Sequence, residues 1–564
     1  GSEYTTGITN LGTYGGGGTA TRTFAVTTDT PTTLYYFCTA HAGMGATMSI
    51  SPTAELEVSG RIMSRDLVVS GTGGMSIGGG TTAQRAEYPA LGTIRYNSTT
   101  GFMEGYAAAG WAPIAQPPTV TGLSPLTTLT SGGVVPNWSQ QPKIQSTDIV
   151  HGDYFGGLGQ VSMSSDGTKA IVGAYGEDPP TSAGGTNAGS AYIFTYNSST
   201  SLWSQQQKLV ASDAASPDYF GSAVSMNSDG TKVIVGARGQ DVSGGSNDGA
   251  AYIFTYNSST SLWSEETMLV ATDSAQNLRF GEVVSMSGDG TKVIVGTGTG
   301  SVSGAAYIFT YSSGSWDAGT KIQSTGIDAT DYFGISVSIN SDGTKVIVGA
   351  KTENTGNDGA AYIFVYSDGS WDAGTKLVSP TANPAGDYFG ASVDISGDGN
   401  LVIVGSQLDS EAVSSGGAAY IYTYSGGSWD TGTRVQASVT ELDDNFGYSV
   451  SMSSDGTKVI VGALLQADSN SAAGTGAAYI FVYNSGTSQW SQQQKLLASD
   501  ATNGDKFGIS VHMSRDGTKV IVGASPPYSL GRTGGAYIFD FSAEVLDSST
   551  QVFTATGTGI VSGS

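Results

Sequence analysis

The stretch DYFGSAVSMNSDGTKVIVGA, from Asp218 to Ala237, is repeated almost unchanged as DYFGISVSINSDGTKVIVGA from Asp331. Its Phe-Gly pair occurs seven times, with the phenylalanines at Phe155, Phe220, Phe280, Phe333, Phe389, Phe446 and Phe507. Each pair is followed by an Asp-Gly, an apolar run such as TKVIVGA and a segment such as GAAYIFTY, and in all units but the last by a segment that begins with tryptophan. Repetition of a unit of about 60 residues is typical of a solenoid or a propeller.

Every element inside the unit has the character of a short β-strand. β-Branched and aromatic residues dominate, and no helical period of useful length appears in the chain. The Asp-Gly pair between two such runs predicts a two-residue hairpin in which both central residues have positive φ. The Val-Ile-Val run is apolar on both faces, as expected of an inner strand between neighbouring sheets. The sequence therefore predicts an all-β fold and favours a propeller with four-stranded blades.

The series of tryptophan segments begins and ends one step earlier in the chain than the series of Phe-Gly pairs. Segments led by tryptophan begin at seven positions, Trp138, Trp203, Trp263, Trp316, Trp371, Trp429 and Trp490. The first of them precedes the first Phe-Gly pair, whereas the last unit stops after GGAYIFDF without a tryptophan segment of its own. We expect the strand at Trp138 to complete the last blade, because this closes the ring and removes the free edges of an open array.

The repeated unit resembles the FG-GAP repeat of the integrin α-subunit propeller, and more closely the bacterial and viral form of that repeat. The resemblance covers residues 138–542 and implies a seven-bladed β-propeller preceded by other modules. It is a poor guide to function, because propellers support both binding and catalysis.

Integrin-type repeats carry a calcium loop, D-x-[DN]-x-D-G-x-x-D, between their first two strands. On this chain the aspartate of Asp-Gly takes the fifth ligand position, and most units have serine or alanine where carboxylates are needed. The fifth unit fits best, with Asp394, Ser396 and Asp398, although its ninth position is Val402. The sequence favours a plain tight turn and leaves Asp394 and Asp398 as calcium candidates.

In a propeller, the connections between the first and second strands and between the third and fourth strands share one face. In this chain those turns are uniform, whereas the connections on the opposite face vary in length and charge. Because binding residues usually lie on variable loops held by a rigid frame, we expect ligand contacts on the variable face. The competing interpretation is a solvated acidic rim. The candidate ligand-binding residues are Tyr175, Glu177, Asp178, Arg238, Asp241, Lys351, Asp409, Tyr528 and Arg532.

Composition excludes several classes of function. The net charge of −24 argues against binding to nucleic acid. No apolar run is long enough for a transmembrane helix. The three histidines, His41, His151 and His512, form no Ser-His-Asp spacing, and no nucleophile elbow or phosphate loop is present. The sequence therefore predicts a protein that is not an enzyme.

The segment YYFCTAHAGMG, from Tyr35 to Gly45, has ligand chemistry in the spacing C-x-x-H-x-x-M. It resembles the copper loop of cupredoxins and makes Cys38, His41 and Met44 candidate copper ligands. A fourth ligand, a histidine from an earlier strand, has no counterpart in residues 1–37. The alternative is a structural turn with a buried cysteine. We expect no required cofactor, with copper and calcium as the open possibilities.

The remaining N-terminal sequence resembles viral fibre proteins. Val-Ser-Gly recurs at Val58 and Val69 in a pattern similar to fibrous, often trimeric, shafts. LGTIRYNSTTGFMEGYAAAGWAPIA resembles a small β module of phage and algal-virus fibres. The predicted organisation is a partial cupredoxin-like module (1–50), a shaft (51–90), a fibre module (91–115), a linker (116–137), the propeller (138–542) and a tail (543–564).

This order of modules favours a virion appendage, either a tail fibre or a capsid fibre, with the propeller as a receptor-binding head. The expected ligand is a host-surface glycan or protein. We expect a homotrimer formed through residues 51–116, other virion proteins as partners and a location on the virion surface. The alternatives are a secreted or cell-surface adhesin of a marine microbe and a glycan-degrading fibre head.

Overall fold

In the computed structural model, the described residues are 134–545, with gaps at 158, 180–185, 243–245, 299–303, 354–355, 382–385, 439–440 and 467–473, together with short strands nearer the N-terminus. The chain forms two compact units, residues 1–135 with 543–564, and residues 136–542. Among the described residues, no helix has the length and apolar character needed to cross a membrane.

The described strands of the first unit form two small sheets. Strands β1 (Thr33–Phe37), β2 (Gly45–Ile50) and β3 (Leu56–Ser59) make an antiparallel sheet. Strands β4 (Gly79–Gly80), β5 (Ile94–Asn97), β6 (Phe102–Ala107) and β7 (Gly110–Pro113) make another, in which β4 and β5 are parallel. The three candidate copper ligands lie outside the described residues. The division of this region into modules stays a prediction.

The second unit is a seven-bladed β-propeller, and the prediction of an all-β propeller fold is confirmed. Blades 1, 2 and 6 each have four continuous antiparallel strands. Blade 1 contains β9 (Val161–Met163), β10 (Lys169–Ala174), β11 (Ser190–Asn197) and β12 (Leu202–Leu209). Blade 2 contains β13 (Phe220–Met226), β14 (Lys232–Ala237), β15 (Ala250–Asn257) and β16 (Leu262–Leu269). Blade 6 contains β32 (Phe446–Met452), β33 (Lys458–Ala463), β34 (Ala477–Asn484) and β35 (Gln489–Leu496).

Blades 3 to 5 differ because their outer strand is split in two. Blade 3 contains β17 (Phe280–Met286), β18 (Lys292–Thr297), β19 (Ala306–Ser312), β20 (Ser315–Trp316) and β21 (Thr320–Ile322). Blade 4 contains β22 (Phe333–Ile339), β23 (Lys345–Ala350), β24 (Ala360–Ser367), β25 (Ser370–Trp371) and β26 (Thr375–Leu377). Blade 5 contains β27 (Phe389–Ile395), β28 (Leu401–Ser406), β29 (Ala418–Ser425), β30 (Ser428–Trp429) and β31 (Thr433–Val435).

Blade 7 is built from both ends of the repeat array. It contains β36 (Ser510–Met513), β37 (Lys519–Ala524), β38 (Gly535–Val545) and, as its outer strand, β8 (Val134–Gln140). The pairing continues beyond β8, where the backbone N–H of Ile144 donates to the carbonyl of Ala536 at 2.9 Å. The prediction that the strand at Trp138 completes the last blade is confirmed. The strand begins at Val134, inside the segment that the sequence predicted to be linker.

The Phe-Gly pair is a device for packing one blade against the next. Phe220 is fully buried, and its ring lies edge-on to Tyr252 and Phe254 of the same blade at 5.5 and 5.9 Å. The following Gly221 has φ +88°, and a Cβ there would lie 2.2 Å from the carbonyl oxygen of Ser190 in the preceding blade. A side chain is therefore excluded at this position, and the pair is repeated because every blade interface needs it.

The Asp-Gly hairpin prediction was wrong in its geometry. The loop of blade 2 spans residues 227–231, and only its glycine, Gly230, has positive φ. The Asp229 carboxylate instead accepts the backbone N–H of Thr231 at 3.0 Å and its hydroxyl at 2.6 Å. The side-chain oxygen of Asn227 accepts the N–H groups of Thr231 and Lys232, both at 2.9 Å. These side-chain bonds replace the tight two-residue turn, because Asp and Asn can satisfy local backbone donors.

Candidate functional site

The propeller presents two different faces. The turn face carries the five-residue Asp-Gly loops and the turns between third and fourth strands. The loop face carries the connections from the second strand to the third and from the fourth strand to the next blade. Along the sequence, these latter connections vary in length and charge from blade to blade. The loop face therefore holds the sequence variation, and its inner edge holds a group of aromatic and charged side chains.

That group is centred on Tyr175 and Arg238, two of the residues proposed from the sequence. The ring of Tyr175 stacks on Tyr154 at 4.8 Å between centroids and lies edge-on to Tyr219 at 6.0 Å. The guanidinium of Arg238 lies 5.1 Å from the ring of Tyr175 and 5.2 Å from that of Tyr219. It also forms an ion pair with Glu282 at 2.8 Å. We call Tyr154, Tyr175, Tyr219, Arg238 and Glu282 the tyrosine–arginine cluster.

The cluster continues into blade 4 through Lys351, another residue proposed from the sequence. Its ammonium lies 5.0 Å from the ring centroid of Tyr332. Burial lowers the pKa of Lys351, and the negative charge of Glu282 partly opposes this effect. Burial also raises the pKa of Tyr175 to about 12, so its hydroxyl is a hydrogen-bond donor at physiological pH. Four adjacent blades thus contribute to one partly buried surface of aromatic rings and cations.

The residue that precedes each Phe-Gly pair was not identified as a candidate from the sequence, because it looked like part of the scaffold. In all seven blades the residue at this position is a non-glycine residue with φ between 52° and 56°, namely Tyr154, Tyr219, Arg279, Tyr332, Tyr388, Asn445 and Lys506. A left-handed conformation at a bulky residue costs about 1–3 kcal/mol, and such residues cluster at binding sites. Four tyrosines and two cations share this position around the ring. The signal in the sequence was the variation of this one residue beside an unchanging Phe-Gly.

Two of the proposed carboxylates belong to the scaffold. Glu177 is buried, accepts the hydroxyl of Ser190 at 2.5 Å and pairs with the ammonium of Lys208 at 2.6 Å. Asp409 is fully buried, accepts the hydroxyl of Tyr420 and pairs with Arg434 at 2.7 Å. Their oxygens are committed to these internal partners. The structure therefore removes Glu177 and Asp409 from the candidate ligand contacts.

Two further proposed carboxylates hold their own loops together. Asp178 accepts the backbone N–H of Asn187 at 2.5 Å, across the gap at residues 180–185. Asp241 accepts the backbone N–H of Asn247 at 2.7 Å across the next blade's gap. Each of these hydrogen bonds joins the two ends of a variable loop at its base. They shape the loop face even where they do not contact a ligand.

Tyr528 and Arg532 belong to the same connection of blade 7 and have different partners. Tyr528 is 62% exposed and stacks on His151 at 4.2 Å between ring centroids. Arg532 pairs with Asp505 at 2.6 Å and donates to the carbonyl of Asn503 at 2.5 Å. Tyr528 is thus an available aromatic surface, whereas Arg532 fixes the neighbouring loop.

The two calcium candidates have different surroundings. Asp394 lies on the propeller axis and accepts hydrogen bonds from the hydroxyls of Ser338 and Ser451 at 2.7 and 3.1 Å. Asp398 lies in the Asp-Gly loop and accepts the hydroxyl of Ser396 and the N–H of Asn400 at 2.8 and 2.9 Å. Within the described residues, no group of three or more acidic, histidine or cysteine side chains could share a metal ion. Calcium at these aspartates stays a prediction.

Ser162 and His512 line the same axial channel as Asp394, which the sequence spacing did not indicate. Their hydrogen bonds do not match those of a catalytic triad. Nδ1 of His512 accepts the backbone N–H of Met163 at 3.3 Å, so the ring proton is assigned to Nε2. Nε2 lies 3.5 Å from the hydroxyl of Ser162 and is therefore no base toward it. A nucleophile next to an oriented base, which acyl transfer needs, is not formed by these groups.

A groove of about 670 Å³ lies between blades 4 and 5. It is lined by Tyr424 and Trp429, whose rings are 5.3 Å apart, and by Val378 and Pro380. At the interface of blades 1 and 2, Gln207 bonds both backbone groups of Trp263 at 2.8 Å. The segment Asp-Ala-Gly-Thr stands in the place of such glutamines in blade 4.

Comparison with known proteins agrees with this geometry. A family model described as FG-GAP repeat matches the chain in seven segments, residues 138–194, 203–254, 263–309, 316–364, 371–422, 429–481 and 490–539. Each segment begins at the tryptophan of an outer strand and ends in the third strand of the next blade. The matched segments make up more than half of the chain. No curated protein gives a significant match.

Proposed function

The chain belongs to the FG-GAP repeat family, and from the surface that its propeller presents we propose that it is an attachment protein. The propeller is the head, and its loop face binds a glycan or a protein on the surface of a host cell. The observation that supports this most is the tyrosine–arginine cluster, extended by Tyr332 and Lys351, at the inner edge of the loop face.

The chemistry of this surface suits carbohydrate and peptide ligands. Tyrosine rings offer flat apolar faces together with a hydroxyl, and arginine donates hydrogen bonds in a fixed fork. Arg238 is held between two rings and Glu282, so little side-chain entropy is lost when it engages a ligand. The strained backbone beside Phe-Gly has the character of a binding site, because it holds side chains that the packing alone does not require.

The cellular context that we propose is a virion appendage, a tail or capsid fibre, carried on the particle surface beside other structural proteins. The resemblance of residues 51–90 to fibre shafts and of residues 91–115 to a small fibre module supports this context and a homotrimeric assembly. Three heads on one shaft strengthen a weak contact by factors of about 10² to 10⁴ through avidity. A secreted or cell-surface adhesin would use the same head and differs only in where the chain is displayed.

The test is binding of the labelled full-length chain to a panel of cells and to a glycan array. We expect saturable binding that is lost after the cells are treated with glycosidase or with protease, which also identifies the ligand class. Products are measured in parallel, because release of sugars from a bound glycan would indicate a degrading enzyme. Absence of binding to every cell and glycan would contradict the proposal.

A further inference from the structure

A polar channel of about 150 Å³ runs along the propeller axis. Its wall is formed by the inner strands β9, β13, β17, β22, β27, β32 and β36. One side chain from the equivalent position of each strand contributes to it, in the order Ser162, Ser225, Ser285, Ser338, Asp394, Ser451 and His512. Seven equivalent positions therefore hold five serines, one aspartate and one histidine.

In the half of the channel wall around Asp394, the hydrogen-bonding groups already have partners within the protein. Its carboxylate accepts the hydroxyls of Ser338 and Ser451, and also the backbone N–H groups of Ile395 at 2.9 Å and Met452 at 2.7 Å. Four donors directed at one carboxylate occupy its lone pairs and disperse its charge. This side of the channel therefore exposes little hydrogen-bonding capacity to the lumen.

The opposite half has a surplus of donors. The hydroxyl oxygens of Ser162, Ser225 and Ser285 each accept one backbone N–H from the next blade, from Met226 and Met286 at 3.1 Å and from Ile339 at 3.2 Å. Each of these hydroxyls still has a proton to donate, and none has an acceptor within bonding distance among the described residues. Nε2–H of His512 adds a fourth donor, since its contact with Ser162 is long at 3.5 Å.

Arg515 closes the channel at the turn face. Its guanidinium reaches across the axis, and Nη1 donates to the hydroxyl of Ser341 at 2.6 Å. The side chain is largely buried, which lowers its pKa, and it forms no ion pair among the described residues. A guanidinium has five N–H donors, and the bond to Ser341 uses one of those on Arg515, which lines the channel.

We propose that the axial channel binds a small monovalent anion, such as a halide, between Arg515 and the arc of His512, Ser162, Ser225 and Ser285. Buried donors are normally satisfied, and here they converge in a polar space beside the guanidinium of Arg515, whose charge the carboxylates of Asp394 and Asp289 offset only from a distance. A halide accepts several hydrogen bonds at once and brings no protons of its own. Water supplies as many donors as acceptors, so it corrects the surplus less well. The anion would tie four consecutive blades to one centre.

The test uses bromide as the probe on the full-length chain. Thermal unfolding is followed while sodium bromide replaces sodium gluconate at constant ionic strength. We expect a saturable rise in the midpoint that follows one-site binding to the folded state. The substitution Arg515→Met should raise the half-saturating bromide concentration by at least about tenfold, because it removes charge-assisted hydrogen bonds. Crystals grown in bromide should show an anomalous peak on the axis.

A second variant covers the case in which Arg515→Met does not fold. Ser225→Ala with Ser285→Ala removes two free donors without changing charge, and should weaken bromide binding several-fold. Its matched control, Ser199→Ala with Ser259→Ala, removes two exposed hydroxyls from the turn face and should leave bromide binding unchanged. The proposal is overturned if bromide and gluconate give the same midpoints, if both serine pairs respond alike, or if the anomalous peak is absent.

Discussion

Trp138 and Gln494 are 356 positions apart, yet the side-chain amide of Gln494 bonds both backbone groups of Trp138. The N–H of Trp138 donates at 2.8 Å, and its carbonyl accepts at 2.9 Å. Nε1 of Trp138 also donates to Gln493 at 3.1 Å. Gln207 and Gln206 make the same three bonds to Trp263 between blades 1 and 2. The N-terminal strand is therefore held against blade 6 by the same hydrogen bonds that join blades 1 and 2.

Removing this contact should destabilise the closed ring. Gln494→Ala leaves two backbone groups of Trp138 without partners, and we expect a loss of about 1–3 kcal/mol in the free energy of unfolding. Chemical denaturation followed by tryptophan fluorescence measures it. Gln207→Ala is the matched control for an interface within the chain and should cost a similar amount. A neutral Gln494→Ala beside a costly Gln207→Ala would mean that the ring is not closed in this way.

The hydrogen bonds in the axial channel predict how stable the protein is with alanine or serine in place of Asp394. Asp394→Ala removes the acceptor for the N–H of Met452 and for two hydroxyls, so it should destabilise the protein by about 1–3 kcal/mol. Asp394→Ser restores the residue found at five of the seven positions, and its hydroxyl can accept that N–H as Ser225 accepts the N–H of Met286. Serine should therefore be more stable than alanine in thermal unfolding. Equal midpoints for the two variants would contradict the assigned bonds.

Stability should rise on mild acidification. Burial raises the pKa of Asp153, Asp218, Asp387 and Asp444 to about 6. Unfolded aspartate titrates near 3.9, so the folded state binds more protons between about pH 4 and pH 6. The contribution is complete below the unfolded pKa and is lost as the pH rises through about 6. Thermal midpoints measured from pH 7 to pH 5 should therefore increase.

The variant Asp218→Asn with Asp387→Asn isolates this effect from the general loss of negative charge. Asparagine at 218 keeps an acceptor for the N–H of Ala215 but does not titrate, so the pH dependence of the midpoint should become shallower. Asp229→Asn with Asp516→Asn changes the charge equally at exposed loop positions and should leave the slope unchanged. Identical slopes in both variants would show that the four buried carboxylates do not cause the rise.

The fibre-like order of modules predicts that the protein is a homotrimer. Light scattering on the full-length protein should give three times the mass of one chain. We expect this mass to persist on dilution, because a shaft of this kind buries its apolar residues only against partner chains. A mass equal to one chain of 57.4 kDa would remove the trimer from the account and leave the head as a monovalent binder.

The repeat made the fold predictable, whereas the site depended on the tertiary structure. The offset between Trp138 and Phe155 was enough to predict ring closure, because an unpaired outer strand has to find the unpaired last sheet. Hydrophobic pattern does not specify turn geometry, and side-chain bonds to the backbone replaced the predicted hairpin at Asp229 and Gly230. Tyr175 and Arg238 were identified from loop variability, but their contact depends on Tyr219, which the repeat pattern assigned to the scaffold.

Negative charge in a variable loop is a poor guide to which carboxylates are free to contact a ligand. Glu177 and Asp409 stand in variable loops, yet each points inward to a cation and a hydroxyl of its own blade. A sequence gives no sign of such pairing when the partner lies about 30 residues away on another strand. The axial group of Asp394, Ser451 and His512 was unpredictable for a related reason, since it forms only when three blades meet at the axis.

Attachment through the loop face is tested most directly by host-cell binding of two matched sets of variants of the full-length chain. Tyr175→Ala and Arg238→Met alter the loop face, whereas Leu202→Ala and Leu262→Ala remove side chains that are 55% and 58% exposed at the turn face. We predict that each loop-face variant weakens binding at least about tenfold, as for a contact worth roughly 1.4 kcal/mol, and that the leucine variants bind normally. Loss of binding in the leucine variants with normal binding in the loop-face variants would contradict it.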